Sequence, residues 1–269
     1  MGLFSKKYCD IRGEKIGLFG NRKLEDGNMC SKCAEGLSPW FDDRRHSTLE
    51  EIKAQLAYRE KNKEDVKAFH CSLNLGERYH VLFDEAAQTF VVVTEAGTRM
   101  LETVNPDVFH LSQVKGARVE VNDYRSELHT TDSEGNRVSY NPRRYRYRYN
   151  FHVIITLDHP YVDEIDIQIN ESDVEIEWED RGFSLFTESY NPRRDFEYRK
   201  YQSMGDDIVN TLLMGASKAA AEPAAPAPEP AAPASEPAPR QEGEMFCPYC
   251  GTKVKKARFC TNCGASLED

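Results

Sequence analysis

The chain has 269 residues, 39% of them hydrophobic and 30% charged, with a formal net charge of −10. That size allows one middle-sized domain plus smaller units, and the composition describes a soluble, surface-rich chain. The negative balance opposes general affinity for nucleic acids or membranes, both anionic, so only a local basic patch could override it. No apolar run approaches the roughly 20 residues of a membrane helix. The start, MGLFSKKYCD, has no apolar core for a signal peptide, and Lys6 spoils the myristoylation pattern begun at Gly2. The expected location is cytoplasmic.

Eight cysteines are present, seven of them in two terminal clusters. In a reducing compartment such clustering points to metal rather than disulfides. Cys71 stands alone and reads as a small buried hydrophobe.

In chain order, residues 1–46 form a cysteine-bearing, glycine-punctuated unit. Residues 47–70 form a helical connector, because Ser47 and Glu50 make a capping box ahead of Leu49, Ile52 and Leu56. Asn62 reads as a restart point, and the Lys/Glu-rich side reads as a solvated face.

Residues 71–215 change to strand periodicity. YHVLF (79–83) and TFVVV (89–93) predict a hairpin, followed by strands at 108–114 and 117–121. A turn at Glu134–Asn136 leads to a long strand over 144–157, and 164–169 and 173–178 alternate cleanly. A helix from about Arg194 to Leu213 closes the domain. SYNPRR occurs twice, at 139–144 and 189–194, and reads as two similar turns opening long elements.

On the long strand Arg144, Arg146 and Arg148 face one way and Tyr145, Tyr147 and Tyr149 the other. The arginine row could bind phosphates or anionic lipid heads. Cross-strand pairing with Glu175, Glu177 and Glu179 explains it without a ligand and is the favoured reading.

Residues 216–244 are Ala/Pro/Glu low complexity. They lack the apolar surface to offset ordering entropy, and proline biases them toward an extended, fairly stiff tether.

Residues 245–269 carry two CxxC pairs, Cys247/Cys250 and Cys260/Cys263, separated by nine residues. Four thiolates fill a tetrahedron around zinc and leave no open position, so the site is structural. With so little apolar content, this ribbon would take its folding energy from the metal. Lys253, Lys255, Lys256 and Arg258 invite a nucleic-acid reading, but Glu268, Asp269 and the charge of a four-thiolate zinc centre cancel them.

The N-terminal unit reads CDIRGEKIGLFG from Cys9, then Cys30-x-x-Cys33, SPWF (38–41) and RRHS (44–47). Residues 9–48 resemble the zinc-ribbon-like N-terminal unit of a bacterial family of unknown function that often continues into a β-rich domain. The resemblance implies zinc ligands at Cys9, Cys30 and Cys33. Arg12 stands where that pattern has its second cysteine, and a guanidinium cannot ligate. The fourth ligand is then His46, a water or nothing, while Arg12 neutralises thiolates or pairs with a nearby carboxylate.

The fold class is therefore α+β: a zinc-ribbon-like unit, an antiparallel β domain closed by a helix, a disordered linker and a C-terminal zinc ribbon. The order of elements in the β domain is similar to the pleckstrin-homology superfold, an analogy that does not give function. No phosphate loop, GxSxG, HExxH or paired histidines occur, so no enzyme is expected. The expected cofactor is Zn2+, complete at the C-terminal site and short of a ligand at the N-terminal one. The expected function is a cytosolic zinc-binding adaptor with protein partners. The alternative is a peripheral membrane or nucleic-acid binder working through the arginine strand and the basic C-terminal loop.

Overall fold

The computed structural model describes residues 7–181, 189–221, 244–246 and 253–255. The chain divides into two units, Met1–Glu222 and Pro223–Asp269, taken separately below.

The first unit opens with a short hairpin, β1 (Asn21–Lys23) and β2 (Asn28–Cys30), followed by one helical turn, α1 (Ser31–Ala34). Helix α2 (Leu49–Ala68) comes next. Its capping box is one residue later than the sequence suggested. Thr48 accepts from the Glu51 N–H (3.3 Å), and the Thr48 N–H donates to Glu51 Oε2 (2.7 Å). Ser47 is unavailable because it is buried and its Oγ donates to the Asp43 carbonyl. The helix is continuous through Asn62, and its buried face is Ile52, Gln55, Arg59, Asn62 and Val66. Three of those five are polar, so the buried side of α2 is not its apolar stripe alone.

Two antiparallel sheets follow. The first has the order β3 (Leu73–Gly76), β4 (Tyr79–Asp84), β5 (Thr89–Thr94) and β6 (Phe109–His110). Two helical turns, α3 (Glu95–Thr98) and α4 (Leu101–Val104), separate β5 from β6. Both faces of β4 and β5 are buried, which is why their sequences are continuous apolar runs. Val81, Phe83, Phe90 and Val92 face the main core, while Leu82, Val91 and Val93 pack on Phe69, Leu101 and Val108. The β3–β4 turn requires Gly76: its φ is +115°, and a Cβ there would lie 2.0 Å from the Tyr79 carbonyl oxygen.

The second sheet is built on one long hairpin, β7 (Val114–Thr131) with β8 (Arg137–Leu157). The other edge of β8 is shared. β9 (Glu164–Gln168) pairs with His152–Thr156, and β10 (Val174–Asp180) pairs with Arg143–Tyr149. The first SYNPRR copy does not open an element, as its sequence had suggested. It lies inside β8, at a register irregularity where Leu128 faces Arg144 but His129 faces Ser139. The second copy does precede a helix: Pro192–Arg194 form a 3-10 turn ahead of α5 (Phe196–Ala221). Helix α5 outlasts the expected end at Leu213 because alanines favour helix, and Pro223 follows.

The main core lies between the sheets and α5. It joins Phe83, Phe90 and Phe109 to Phe151, Ile155, Ile165 and Ile167, with Tyr201, Ile208 and Leu212 from the helix. Helix and sheet approach closely at Gly205, where a Cβ would lie 2.9 Å from a Val119 methyl.

Cys71 is exposed rather than buried. It precedes β3 on the short link from α2, and its Sγ lies 3.4 Å from the Leu73 carbonyl.

In the second unit the described residues are two paired strands, β11 (Glu244–Phe246) and β12 (Lys253–Lys255), in register Glu244 to Lys255. No helix among the described residues is long and apolar enough to cross a membrane.

Candidate metal centre

Three cysteines meet in the N-terminal unit, brought together by two local structures. The first is the loop at Cys9, which an isolated bridge between Tyr8 and Lys15 closes. The Cys9 N–H donates to the Glu14 carbonyl (2.8 Å) and the Gly13 N–H to the Cys9 carbonyl (2.7 Å). Gly13 takes φ +71°, a conformation that costs most side chains energy. The second is the β1–β2 hairpin, which delivers Cys30 to the start of α1 and Cys33 into its single turn. Asp10 clamps loop to hairpin: its N–H donates to the Asn28 carbonyl, and its carboxylate accepts from the Asn28 N–H at 2.7 Å.

The three Sγ atoms lie within 4.8 Å of one another, and Cys9 Sγ to Cys33 Sγ is 3.7 Å. A disulfide would bring two sulfurs to about 2.05 Å. Sulfurs bound tetrahedrally at about 2.3 Å from zinc are separated by about 3.8 Å, close to the spacing found here. Cys9 and Cys33 are buried alongside Ile16, Leu24, Met29, Leu37 and Ile52. Soft donors at that spacing, in an apolar shell, fit zinc or another thiophilic ion.

The thiols are not equivalent. Burial pushes the Cys33 thiol up to about 12, reinforced by its hydrogen bonds and charge interactions with Cys30 and Cys9. Burial also acts on Cys9, but N–H groups of Cys30, Arg12 and Ile11 outweigh it, and its pKa falls below the usual thiol value. The Cys30 N–H reaches Cys9 Sγ at 3.3 Å. Of the two, Cys9 gives up its proton more readily and Cys33 holds its own, and a bound cation would displace the proton from both.

His46, the side chain expected to complete the set, does not join it. His46 is 82% exposed, and its Nδ1 lies 2.7 Å from Asp43 Oδ1. Arg12 points to Glu14 (3.7 Å) rather than to the sulfurs, taking up the carboxylate pairing. Among the described residues the grouping is Cys9, Cys30 and Cys33. The other predicted ligands, Cys247, Cys250, Cys260 and Cys263, lie outside the described residues. The β11–β12 pairing brackets 247–252, the stretch that carries the first CxxC pair.

The arginine strand meets its acidic partners directly. Arg144, Arg146 and Arg148 stand opposite Glu179, Glu177 and Glu175 in the β8–β10 register. Their closest contacts are 3.9, 2.6 and 2.8 Å, with a further Arg146–Glu175 contact at 3.6 Å. On the opposite face Tyr147 stacks on Tyr190 of the second SYNPRR motif at 3.9 Å, and the Tyr190 hydroxyl also meets that of Tyr149.

A buried polar network was not signalled by any sequence pattern. Arg59 donates to Asp107 Oδ1 and to the Asn105 carbonyl, while Ser38 Oγ donates to Asp107 Oδ2 at 2.6 Å. Asn62 donates to the Pro106 carbonyl (2.6 Å) and accepts from the Val108 N–H (2.9 Å). Next to it Trp40 packs on Tyr79 and Phe41 on Tyr161. The SPWF segment and the polar face of α2 thus seat the cysteine unit on the β domain.

Residues 7–55 match the model of a domain of unknown function (DUF4428). No curated protein and no solved structure gives a match to the chain. The matched span holds all three cysteines, Arg12, the SPWF segment and the start of α2, and leaves the two sheets outside it.

Proposed function

We propose that the chain is a cytosolic, non-catalytic zinc-binding adaptor. In this reading the β domain recognises a protein partner and a tethered C-terminal ribbon contacts another. The observation that carries it is the convergence of Cys9, Cys30 and Cys33 in a unit seated on the β domain. Zinc held by these three thiolates would crosslink the Cys9 loop to the hairpin and stabilise both. A second zinc held by Cys247, Cys250, Cys260 and Cys263 would be purely structural.

The pairing of Arg144, Arg146 and Arg148 with three glutamates weighs against the alternative, a phosphate-binding strand. Paired guanidiniums would have to surrender their carboxylates to take a phosphate.

Elemental analysis of the full chain tests the metal part: between one and two equivalents of zinc are expected. Cys260→Ser should remove the C-terminal ion and Cys33→Ser the N-terminal one. Capture of partners at low and high salt tests the adaptor part. Apolar protein interfaces persist as ionic strength rises, whereas phosphate contacts are lost steeply.

A further inference from the structure

Between the Cys9 loop and β1 the chain makes a turn through Ile16, Gly17, Leu18, Phe19 and Gly20. Ile16 is buried in the N-terminal core, whereas Leu18 and Phe19 are 79% and 87% exposed. The turn is held in shape. The Gly20 N–H donates to the Gly17 carbonyl (3.1 Å), and Ser31 Oγ donates to the Gly20 carbonyl (3.3 Å). Arg22 Nη1 donates to the Phe19 carbonyl at 3.2 Å, so a cation sits against the turn itself.

More cations gather nearby. Lys15, Lys23 and Arg45 are exposed, and Arg44 Nη1 donates to the Lys23 carbonyl at 2.6 Å. That contact sets Arg44 beside the Arg22–Lys23 strand, and burial and then the like charges of Arg45 and Arg22 push its guanidinium below its ordinary value. Among the described residues no carboxylate pairs with Lys15, Arg22, Lys23, Arg44 or Arg45. Of the neighbouring acids, Asp43 is engaged with His46 and Asp26 with the Leu49 N–H, while Glu25 and Asp42 are exposed and reach none of these cations.

We propose that the Leu18–Phe19 turn docks the chain on an anionic phospholipid surface. The two side chains would enter the boundary between headgroups and acyl chains, with Lys15, Arg22, Lys23 and Arg44 against lipid phosphates. Two adjacent, highly exposed apolar side chains beside unpaired cations match the layered chemistry of an anionic bilayer, apolar below and phosphate above. The cations select a negative surface and hold the turn there. The net charge of −10 does not forbid this, because fields are screened within about 8 Å at physiological salt. This inference goes beyond the adaptor reading, and its readout is separate from zinc content.

The test sediments the zinc-loaded full chain with phosphatidylcholine vesicles, with or without about one third phosphatidylserine. Partition into the anionic vesicles alone is expected, weakening as salt rises. Leu18→Ser with Phe19→Ser should cut it about tenfold or more. Arg22→Gln with Lys23→Gln should cut it about fivefold for each cation removed. Phe19→Trp should shift its emission to the blue on anionic vesicles and be quenched by brominated acyl chains, a reading that stands even if the serine variant misfolds. Zinc content, read in the same samples, reports whether the unit is intact. Three results would overturn the proposal: no partition of the wild type, partition indifferent to Leu18 and Phe19, or a serine variant whose loss is of self-association instead.

Discussion

Arg59 and Asp107 form an ion pair 2.6 Å apart, with side chains only 7% and 0% exposed. They come from α2 and from the loop before β6, so the pair ties the helix that follows the cysteine unit to the first sheet. Ser38 shares the same carboxylate and brings the SPWF segment into the tie. Buried pairs contribute little over an apolar substitute, but losing one partner strands a charge. Asp107→Ala should therefore destabilise the β domain by about 3–5 kcal/mol in denaturant unfolding. Asp107→Leu combined with Arg59→Met should cost clearly less than either change alone. A double variant whose loss equals the sum of the two single losses would show that the two side chains act independently.

Gly76 carries a sharper constraint, since a Cβ at φ +115° would sit 2.0 Å from the Tyr79 carbonyl. Gly76→Ala must either shift the β3–β4 turn or break its pairing. A loss of about 3 kcal/mol or more is expected, from positive-φ strain plus the backbone clash. Gly116→Ala is the control, because nothing lies within 4 Å of a Cβ there and its φ is not positive. A thermal midpoint unchanged in Gly76→Ala would contradict this account of the turn.

His159 supplies the pH dependence. Its ring packs against Tyr58 (5.2 Å), Phe109 (5.3 Å) and Tyr161 (6.0 Å), and its Nδ1 accepts from the Tyr161 N–H. Burial lowers its pKa below the ordinary value, with the negative charge of Asp107 opposing that shift. The unfolded chain thus binds a proton at His159 more readily than the folded one. Stability from this group is present above the unfolded value of about 6.5 and is lost as pH falls toward the lower folded pKa. His159→Phe should flatten the acid limb of the stability curve below about pH 6.5, measured by denaturant midpoints. An unchanged acid limb would mean that His159 is protonated in the folded chain as easily as in water.

The α+β class was legible because its signals are local. Continuous apolar runs at 79–83 and 89–93 became the doubly buried β4 and β5, and clean alternation became β9 and β10. The cysteine cluster was legible because CxxC spacing and thiol chemistry are themselves the signal. What was not legible depends on tertiary context. Asn62 read as a restart point and Arg59 carried no signal at all, since only the fold brings residues 105–108 to them. The helix cap shifted to Thr48 because Asp43 had already taken the Ser47 hydroxyl. The first SYNPRR copy was misplaced because β7 pairs at both ends of it, with Ser139 and with Arg144, so the strand continues through it as a bulge.

Position 12 bears on the metal. The loop at Cys9 keeps its shape through Gly13, yet carries Arg12, paired with Glu14, where the pattern it resembles has a cysteine. Arg12→Cys should raise zinc affinity, by supplying a ligand and removing a cation near the site. The shift should appear in competition with a chromophoric chelator, and cobalt substituted for zinc should show stronger thiolate charge-transfer bands. Unchanged affinity and unchanged bands would mean that another group already occupies the fourth position.

The arginine strand allows the pairing to be separated from phosphate binding. Arg144, Arg146 and Arg148 are each partly exposed, and each faces the glutamate opposite in register. Exposed pairs of this kind contribute about 0–1 kcal/mol apiece. Changing all three arginines to Gln should therefore lower stability only modestly. Changing them to Glu puts six carboxylates on adjacent strands and should cost considerably more. Adding Glu175→Lys, Glu177→Lys and Glu179→Lys to that variant restores opposite charges across the same register and should recover much of the loss. Recovery would establish that β10 is the partner of this row, since a phosphate-binding strand has no reason to care which side of the ladder carries the positive charge. The Gln variant should also partition onto anionic vesicles as the wild type does, because Leu18, Phe19 and their cations are untouched. A large loss of vesicle binding in the Gln variant would return the anionic surface to this strand and remove it from the Leu18–Phe19 turn.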